Sequence, residues 1–153
     1  MHDMFTKWHD LSNLLFSCNT YLNNCTVSSL QIRLNGTSRA SNLEGRVEVN
    51  YNNGGWGTIC DDLWTIEDAD VACHMLGFKS AFSATRRASF GAGSGIIWLD
   101  DVQCKGTESS LLKCSHSGIV NHNCRHAEDA GVVCSSNYKL FVSCCTARNL
   151  AGN

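Results

Sequence analysis

Carboxylates gather beside two cysteines of this chain. Asp61 and Asp62 directly follow Cys60, and Glu128 and Asp129 follow Cys124 by four and five residues. A further pair, Asp100 and Asp101, stands in a Leu-Asp-Asp stretch. Carboxylates brought together repel unless a cation neutralises them. Hard Ca²⁺ takes oxygen ligands, usually six to eight, so a few carboxylates completed by water make an incomplete cage of the weak, millimolar kind found in extracellular modules. The same side chains have ordinary roles open to them: Asp61 to cap a turn, Glu128 or Asp129 to pair with Arg125.

Arginines offer complementary chemistry. Arg33 and Arg46 fall in strand-like sequence, and Arg86-Arg87 follow the one clear helix pattern. The planar guanidinium fork suits sulfate, phosphate and carboxylate groups. For any one of the four, a solvated surface charge is the more ordinary role. His116, His122 and His126 surround Cys114 and Cys124, but His122-x-Cys124-x-His126 lacks the ligand gaps of a zinc site. Asn24-Cys-Thr and Asn35-Gly-Thr fit the N-glycosylation acceptor pattern, Asn35 the better placed of the two. No GxSxG elbow, HExxH pair or Walker loop is present, so no catalytic residue is assigned.

The cysteines set the compartment. Six of the ten lie at positions 60, 73, 104, 114, 124 and 134 with no CxxC pair among them. That density in roughly 100 residues reads as a disulfide-stapled extracellular module, not a cytosolic enzyme. Six cysteines allow 15 pairings, and spacing does not choose among them. The net charge of −2 gives no basic field for nucleic acid. No run of 18 apolar residues exists to cross a membrane. The beginning is a poor signal peptide, since Ser12 and Asn13 break its apolar stretch, so the chain reads as lacking its true start or as a fragment of a longer secreted or membrane-anchored protein.

The elements that must position these groups are short. Gln31 to Leu34 alternates polar and apolar residues. Arg46 to Tyr51 alternates again, with Val47, Val49 and Tyr51 opposite Arg46, Glu48 and Asn50, the pattern of a half-buried strand. Asn52-Asn53-Gly54-Gly55 supplies a hairpin turn, and Trp56 to Cys60 the returning strand. Thr65 to Gly77 is the main helix: Thr65 and Asp68 make a capping box, Ile66, Ala69, Cys73 and Leu76 one stripe, and Gly77 the stop. A helical turn is expected over Glu108–Leu112, with short strands at Ile96–Leu99, Val102–Cys104 and Gly131–Cys134. Three regions follow: a leader or linker over 1–29, a domain over 30–135, and a tail over 136–153. The outer cysteines, Cys18, Cys25, Cys144 and Cys145, pair between the tails, link chains into an oligomer, or stay free.

The order of the segments is specific. Gly45-Arg-Val-Glu-Val49 precedes Trp56-Gly-Thr-Ile-Cys-Asp-Asp62 and Trp64; then come Ala69-Asp-Val-Ala-Cys73 and Leu76-Gly77. Phe90-Gly-Ala-Gly-Ser-Gly95 leads into Leu99-Asp-Asp-Val-Gln-Cys104, followed by Gly106, Glu108, Leu111 and Cys114. His122-Asn-Cys124 and Glu128-Asp-Ala-Gly-Val-Val-Cys134 close it. Over about 105 of the 153 residues the chain resembles the scavenger receptor cysteine-rich (SRCR) domain, in its six-cysteine, group A-like form. Ala40 and Phe78 stand where eight-cysteine members carry their extra pair.

The resemblance implies an α+β fold, a curved antiparallel sheet cradling one helix, stapled by Cys60–Cys124, Cys73–Cys134 and Cys104–Cys114. A Cys60–Cys124 bridge would bring its Cα atoms to about 5.5 Å and let the flanking carboxylates converge. Some family members bind Ca²⁺ or Mg²⁺ with residues matching Asp61, Asp62 and Glu128; Asp100 and Asp101, completed near Asn123, resemble a second position. Arginines form an anion patch beside the metal in parts of the family. The function implied is non-catalytic recognition of polyanionic or glycosylated extracellular ligands, on microbial surfaces or host glycoproteins, assisted by a weak divalent cation. The alternative is an accessory or protein–protein adhesion module of a larger secreted or membrane protein, such as a multidomain protease or oxidase.

Overall fold

A computed structural model describes residues 14–19, 24–36 and 43–136, with side chains described over 28–36 and 43–136. Among the described residues, strands β1 (Leu14–Asn19), β2 (Asn24–Asn35), β3 (Glu44–Tyr51), β4 (Trp56–Ile59), β5 (Ala81–Thr85), β6 (Ile97–Leu99) and β7 (Gly131–Cys134) form one curved sheet beside a single α-helix, α1 (Ile66–Met75). Strand order runs β1-β2-β3-β4-β6, and β7 also pairs with β3 and carries β5 on its far side. The pairing is antiparallel except between β4 and β6, which run parallel with Ile59 beside Leu99. That one departure from the expected antiparallel sheet proves decisive for the site.

The β3–β4 hairpin forms as its sequence predicts. Asn52 and Asn53 take left-handed φ values of 49° and 60°, which asparagine tolerates better than most residues. The core face of β3 buries Val47 and Val49 completely, with Ile59, Trp64, Leu99, Val102, Leu111 and Val132. The polar face is covered as well. Arg46 and Glu48 are buried beneath the Gly-rich segment before β6, because Gly93 lies against Thr58, Arg46 and Asp129, where an added Cβ would stand 2.6–3.0 Å from their atoms. Alternation alone predicts a half-buried strand; the covering loop is a tertiary feature.

Helix α1 starts at the Thr65–Asp68 box: Asp68 Oδ2 accepts from the Thr65 N–H and hydroxyl, both at 2.8 Å. Asp68 is fully buried, and its Oδ1 accepts from the Cys104 N–H at 2.7 Å, so the cap also anchors the Cys104 loop. Gly77 ends the helix with a φ of +91°. The buried stripe is Ala69, Val71, Ala72 and Cys73, while Ile66 is exposed and Leu76 half-buried. The expected turn at Glu108–Leu112 lies further on, a 3₁₀ turn over Leu111–Lys113 capped by the Ser110 hydroxyl. Glu108 instead accepts from the Lys105 and Thr107 N–H groups. Val102–Cys104 contributes only a bridge between Gln103 and Ser115.

Among the described residues three disulfides join Cys60 to Cys124, Cys73 to Cys134 and Cys104 to Cys114, the pairing that the resemblance implies. Cys73–Cys134 ties α1 to β7, and Cys60–Cys124 ties the end of β4 to the segment before β7. β1 and the first half of β2 fall in the stretch read as leader or linker; their register sets Cys18 opposite Cys25. The side chains of Asn24, Cys18 and Cys25 lie outside the described residues, as do Cys144 and Cys145. Among the described residues no helix is long and apolar enough to cross a membrane.

Candidate functional site

Parallel strands end side by side, so the residues that leave β4 and β6 emerge at one edge. Cys60 N–H donates to Leu99 C=O at 2.9 Å, which places Asp61 and Asp62 next to Asp100 and Asp101. The third segment arrives through the Cys60–Asp129 bridge and the Asp61 N–H, which donates to Glu128 C=O at 2.7 Å. The Cys60–Cys124 bond, with Cα atoms 6.1 Å apart, fixes all three. The two acidic positions expected separately thus become one cluster.

Its centre is Asp62 and Asp100. One carboxylate oxygen from each lies with the two bridging sulfurs inside a 4.8 Å group. Asp100 is buried and Asp62 half-buried. The Asp62 carboxyl is held above its ordinary pKa by partial desolvation first, then by the charges of Asp100, Glu128, Asp61 and Asp101. Asp100 has donors of its own, the Asp101 N–H at 2.7 Å and the Asn123 N–H at 3.4 Å. Glu128 Oε2 accepts from the Arg125 N–H at 2.8 Å, and Asp61, itself buried, accepts from the Arg87 N–H through Oδ2. Asp101 adopts φ 52°. The set offers oxygen ligands only, since sulfurs in a disulfide are not thiolates; such donors suit a hard divalent cation and not zinc.

The four arginines do not form one patch. Arg46 is buried, giving Nη2 to Glu48 Oε1 at 2.7 Å and Nη1 to Gly91 C=O at 2.5 Å. Arg33 is 45 % exposed, paired to Glu48 Oε2 at 2.7 Å and stacked 4.2 Å over Trp56. Asn35, exposed at the end of β2, donates to Glu48 Oε1 at 3.1 Å. Burial pushes the Glu48 carboxyl up, but hydrogen bonds from Arg46, Arg33 and Asn35 outweigh it and leave the group below its ordinary value. Arg87 instead meets the acidic segment through its backbone, whose N–H donates to Asp61. The Arg86 guanidinium donates to Trp64 C=O. Arg87 and Ala88 take φ values of 56° and 47°, a backbone state costing roughly 1–2 kcal/mol per non-glycine residue.

Asp129 and His126 were not assigned as site residues. Asp129 is buried and accepts from the Gly93 N–H at 2.6 Å, while His126 Nδ1 lies 3.2 Å from Asp129 and Nε2 3.2 Å from Gly95 C=O. They fasten the Gly-rich loop over β4. His126 gave a signal in the sequence only as a would-be zinc ligand, and nothing in its spacing points to the loop.

Comparison with known proteins agrees with this architecture. The family model described as the scavenger receptor cysteine-rich domain matches residues 35–135. Galectin-3-binding protein of Pongo abelii is 56% identical over 93 residues, 61% of this chain and 16% of that protein. Lysyl oxidase homolog 2A of Danio rerio is 50% identical over 106 residues, 69% of this chain and 14% of that protein. The chain therefore spans only a small part of the curated relatives it matches. The third SRCR domain of murine neurotrypsin superimposes with a TM-score of 0.62 at 50% identity, covering 69% of this chain and 96% of that one. The dimeric form of the SRCR domain of mouse MARCO gives 0.56 at 56% identity, covering 60% and 86%. With the helix-bearing sheet, the three bridges and a family match spanning residues 35–135, well over half of its length, the chain belongs to the scavenger receptor cysteine-rich family.

Proposed function

We propose that the chain is a non-catalytic extracellular recognition module that holds a weak divalent cation, Ca²⁺ or Mg²⁺, and uses it to engage anionic or glycosylated ligands. The observation that carries this reading is the meeting of Asp62 and Asp100 beside the Cys60–Cys124 bridge, with Glu128, Asp61 and Asp101 adding unneutralised charge. A cation there would relieve the repulsion, and its open positions would accept a ligand's sulfate or carboxylate oxygen. Asp62, Asp100 and Glu128 would supply ligands, and Asp61 and Asp101 their field. Isothermal titration of Ca²⁺ into non-reduced protein tests it. Saturable binding in the millimolar range, weakened at least tenfold in Asp62→Asn/Asp100→Asn, is expected. No binding by the wild type at several millimolar, or equal binding by the double variant, overturns the site.

One observation favours cation-independent protein adhesion as a second reading. Phe82 is 80% exposed on β5, a strand that among the described residues pairs only with β7. Partner binding that ignores chelator and is lost in Phe82→Ser would select it. Either reading is compatible with service as one module of a larger secreted protein, which the full-length gene identifies.

A further inference from the structure

The first two strands stand apart from the rest of the sheet. Every residue of β1 pairs with a residue of β2 between 24 and 29, whereas β3 pairs with β2 only from Leu30 to Asn35. Among the described residues, 14–19 and 24–29 thus form a ribbon of two strands with no third. An isolated two-stranded ribbon is at best marginally stable in water, and Asn19, Asn24, Thr26, Ser28 and Ser29 make this one polar over much of its length. One pair in its register is set apart by chemistry: Cys18 lies opposite Cys25. Direct partners in an antiparallel pair hold their Cα atoms about 4.5 or about 5.5 Å apart. A cystine accepts Cα separations of about 4.4–6.8 Å, so either kind of pair suits one. Six of the ten cysteines are already joined in the bridges of the core.

We infer that Cys18 and Cys25 form a fourth cystine, and that this bond, in place of a third strand, holds the β1–β2 ribbon together. It forms by thiol–disulfide exchange with a disulfide-bearing oxidoreductase of the oxidising compartment in which a chain with three core cystines folds. One Sγ–Sγ bond forms between Cys18 and Cys25, the oxidoreductase's own S–S bond is reduced to two thiols, and those take up the two protons that the cysteines release. The bond withdraws both residues from any link to Cys144, to Cys145 or to a second chain, roles that sequence alone leaves open to them. The inference is independent of the cation reading, since it uses no residue of the acidic cluster.

The test maps disulfides in the full chain exported to a bacterial periplasm, an oxidising compartment. The protein is denatured without reductant, blocked with a maleimide and cut with trypsin. No lysine or arginine stands from Trp8 to Ile32, so Cys18 and Cys25 fall together in the peptide 8–33, which has no other cysteine. That peptide should be lighter than its dithiol form by two hydrogen atoms, carry no maleimide, and take up two only after reduction. Cutting it after Tyr21 should leave two fragments that part on reduction. The three core cystines in the same digest report that the domain has folded. Maleimide on either cysteine overturns the bond, as does a link from 8–33 to a second copy of itself or to the peptide 140–148, which carries Cys144 and Cys145. A second measurement reads the role. In Cys18→Ser/Cys25→Ser, amide hydrogen exchange should be at least tenfold faster over 14–19 and 24–29 and unchanged over β3 and β7. Equal exchange over the ribbon in wild type and variant overturns the stapling.

Discussion

Two regions of this domain are dense in charge, and they differ in kind. Under the Gly-rich loop, Glu48 is gripped by Arg46, Arg33 and Asn35, and its carboxyl falls below the ordinary pKa. At the ends of β4 and β6, Asp62 faces Asp100 and three further carboxylates, and its carboxyl rises. In the first region the carboxylate is paired within the chain, and Glu48 and Arg46 are buried. Among the described residues, the second keeps like charges with no ion pair to neutralise them. Charge density alone does not mark a functional face; the sign of the imbalance does.

The sharpest way to break this contrast is to remove one partner of the neutral region. Glu48→Ala leaves Arg46 a buried charge without its counter-ion, and a loss of about 3–5 kcal/mol is expected, read by denaturant unfolding with disulfides intact. A loss no larger than that of an exposed substitution would mean water reaches Arg46 and the region is not a closed network. Gly93→Ala tests the lid over it. The new Cβ would meet Thr58, Arg46 and Asp129 within 3.0 Å, for a cost of about 1–3 kcal/mol, seen as a lower Tm.

The pH dependence of the two carboxyls should run in opposite senses. Glu48, depressed in the folded state, contributes stability above the unfolded glutamate pKa of about 4.3, and this is lost as pH falls through its lower folded value. Glu48→Gln should therefore flatten the acid limb of a stability–pH curve. Asp62, raised in the folded state, does the reverse: folding loses stability as pH rises from the unfolded aspartate value of about 3.9 through the higher folded one. The smallest expected effect is accordingly a gain. Asp62→Asn should raise unfolding stability slightly at pH 7 in chelator, by less than about 1 kcal/mol at so accessible a group, seen as a small rise in Tm. Added Ca²⁺ should stabilise wild type and not this variant. A destabilised Asp62→Asn protein in chelator would show that Asp62 is structurally engaged and would remove the distinction between the regions.

Much of the scaffold was legible in the chain. The Asn-Asn-Gly-Gly turn, the Thr65–Asp68 cap, the stop at Gly77 and the strand at Gly131–Cys134 are local features, dictated by backbone preference and capping chemistry within a few residues. The disulfide pairing, open from spacing alone, was implied by the family resemblance and matches the structure. β5 was missed because Ala81–Thr85 has weak alternation and gains its place from β7 and α1. The solvent-facing role expected for Arg46 came from alternation, which reports the two faces of a strand and not what lies over them.

The sequence by itself determined the cysteine framework, the one helix, the hairpin and the identity of every acidic residue in the candidate site, since these depend on residue type and on neighbours in the chain. Only the tertiary structure decided that Asp62 and Asp100 share one site, that Asp61 spends an oxygen on Arg87, and that Arg46 is covered while Arg87 is not. The physical reason is the parallel pairing of β4 with β6, a contact between residues some forty apart, which brings two acidic strand ends to one edge. Local preference cannot encode that register; packing of the whole sheet does.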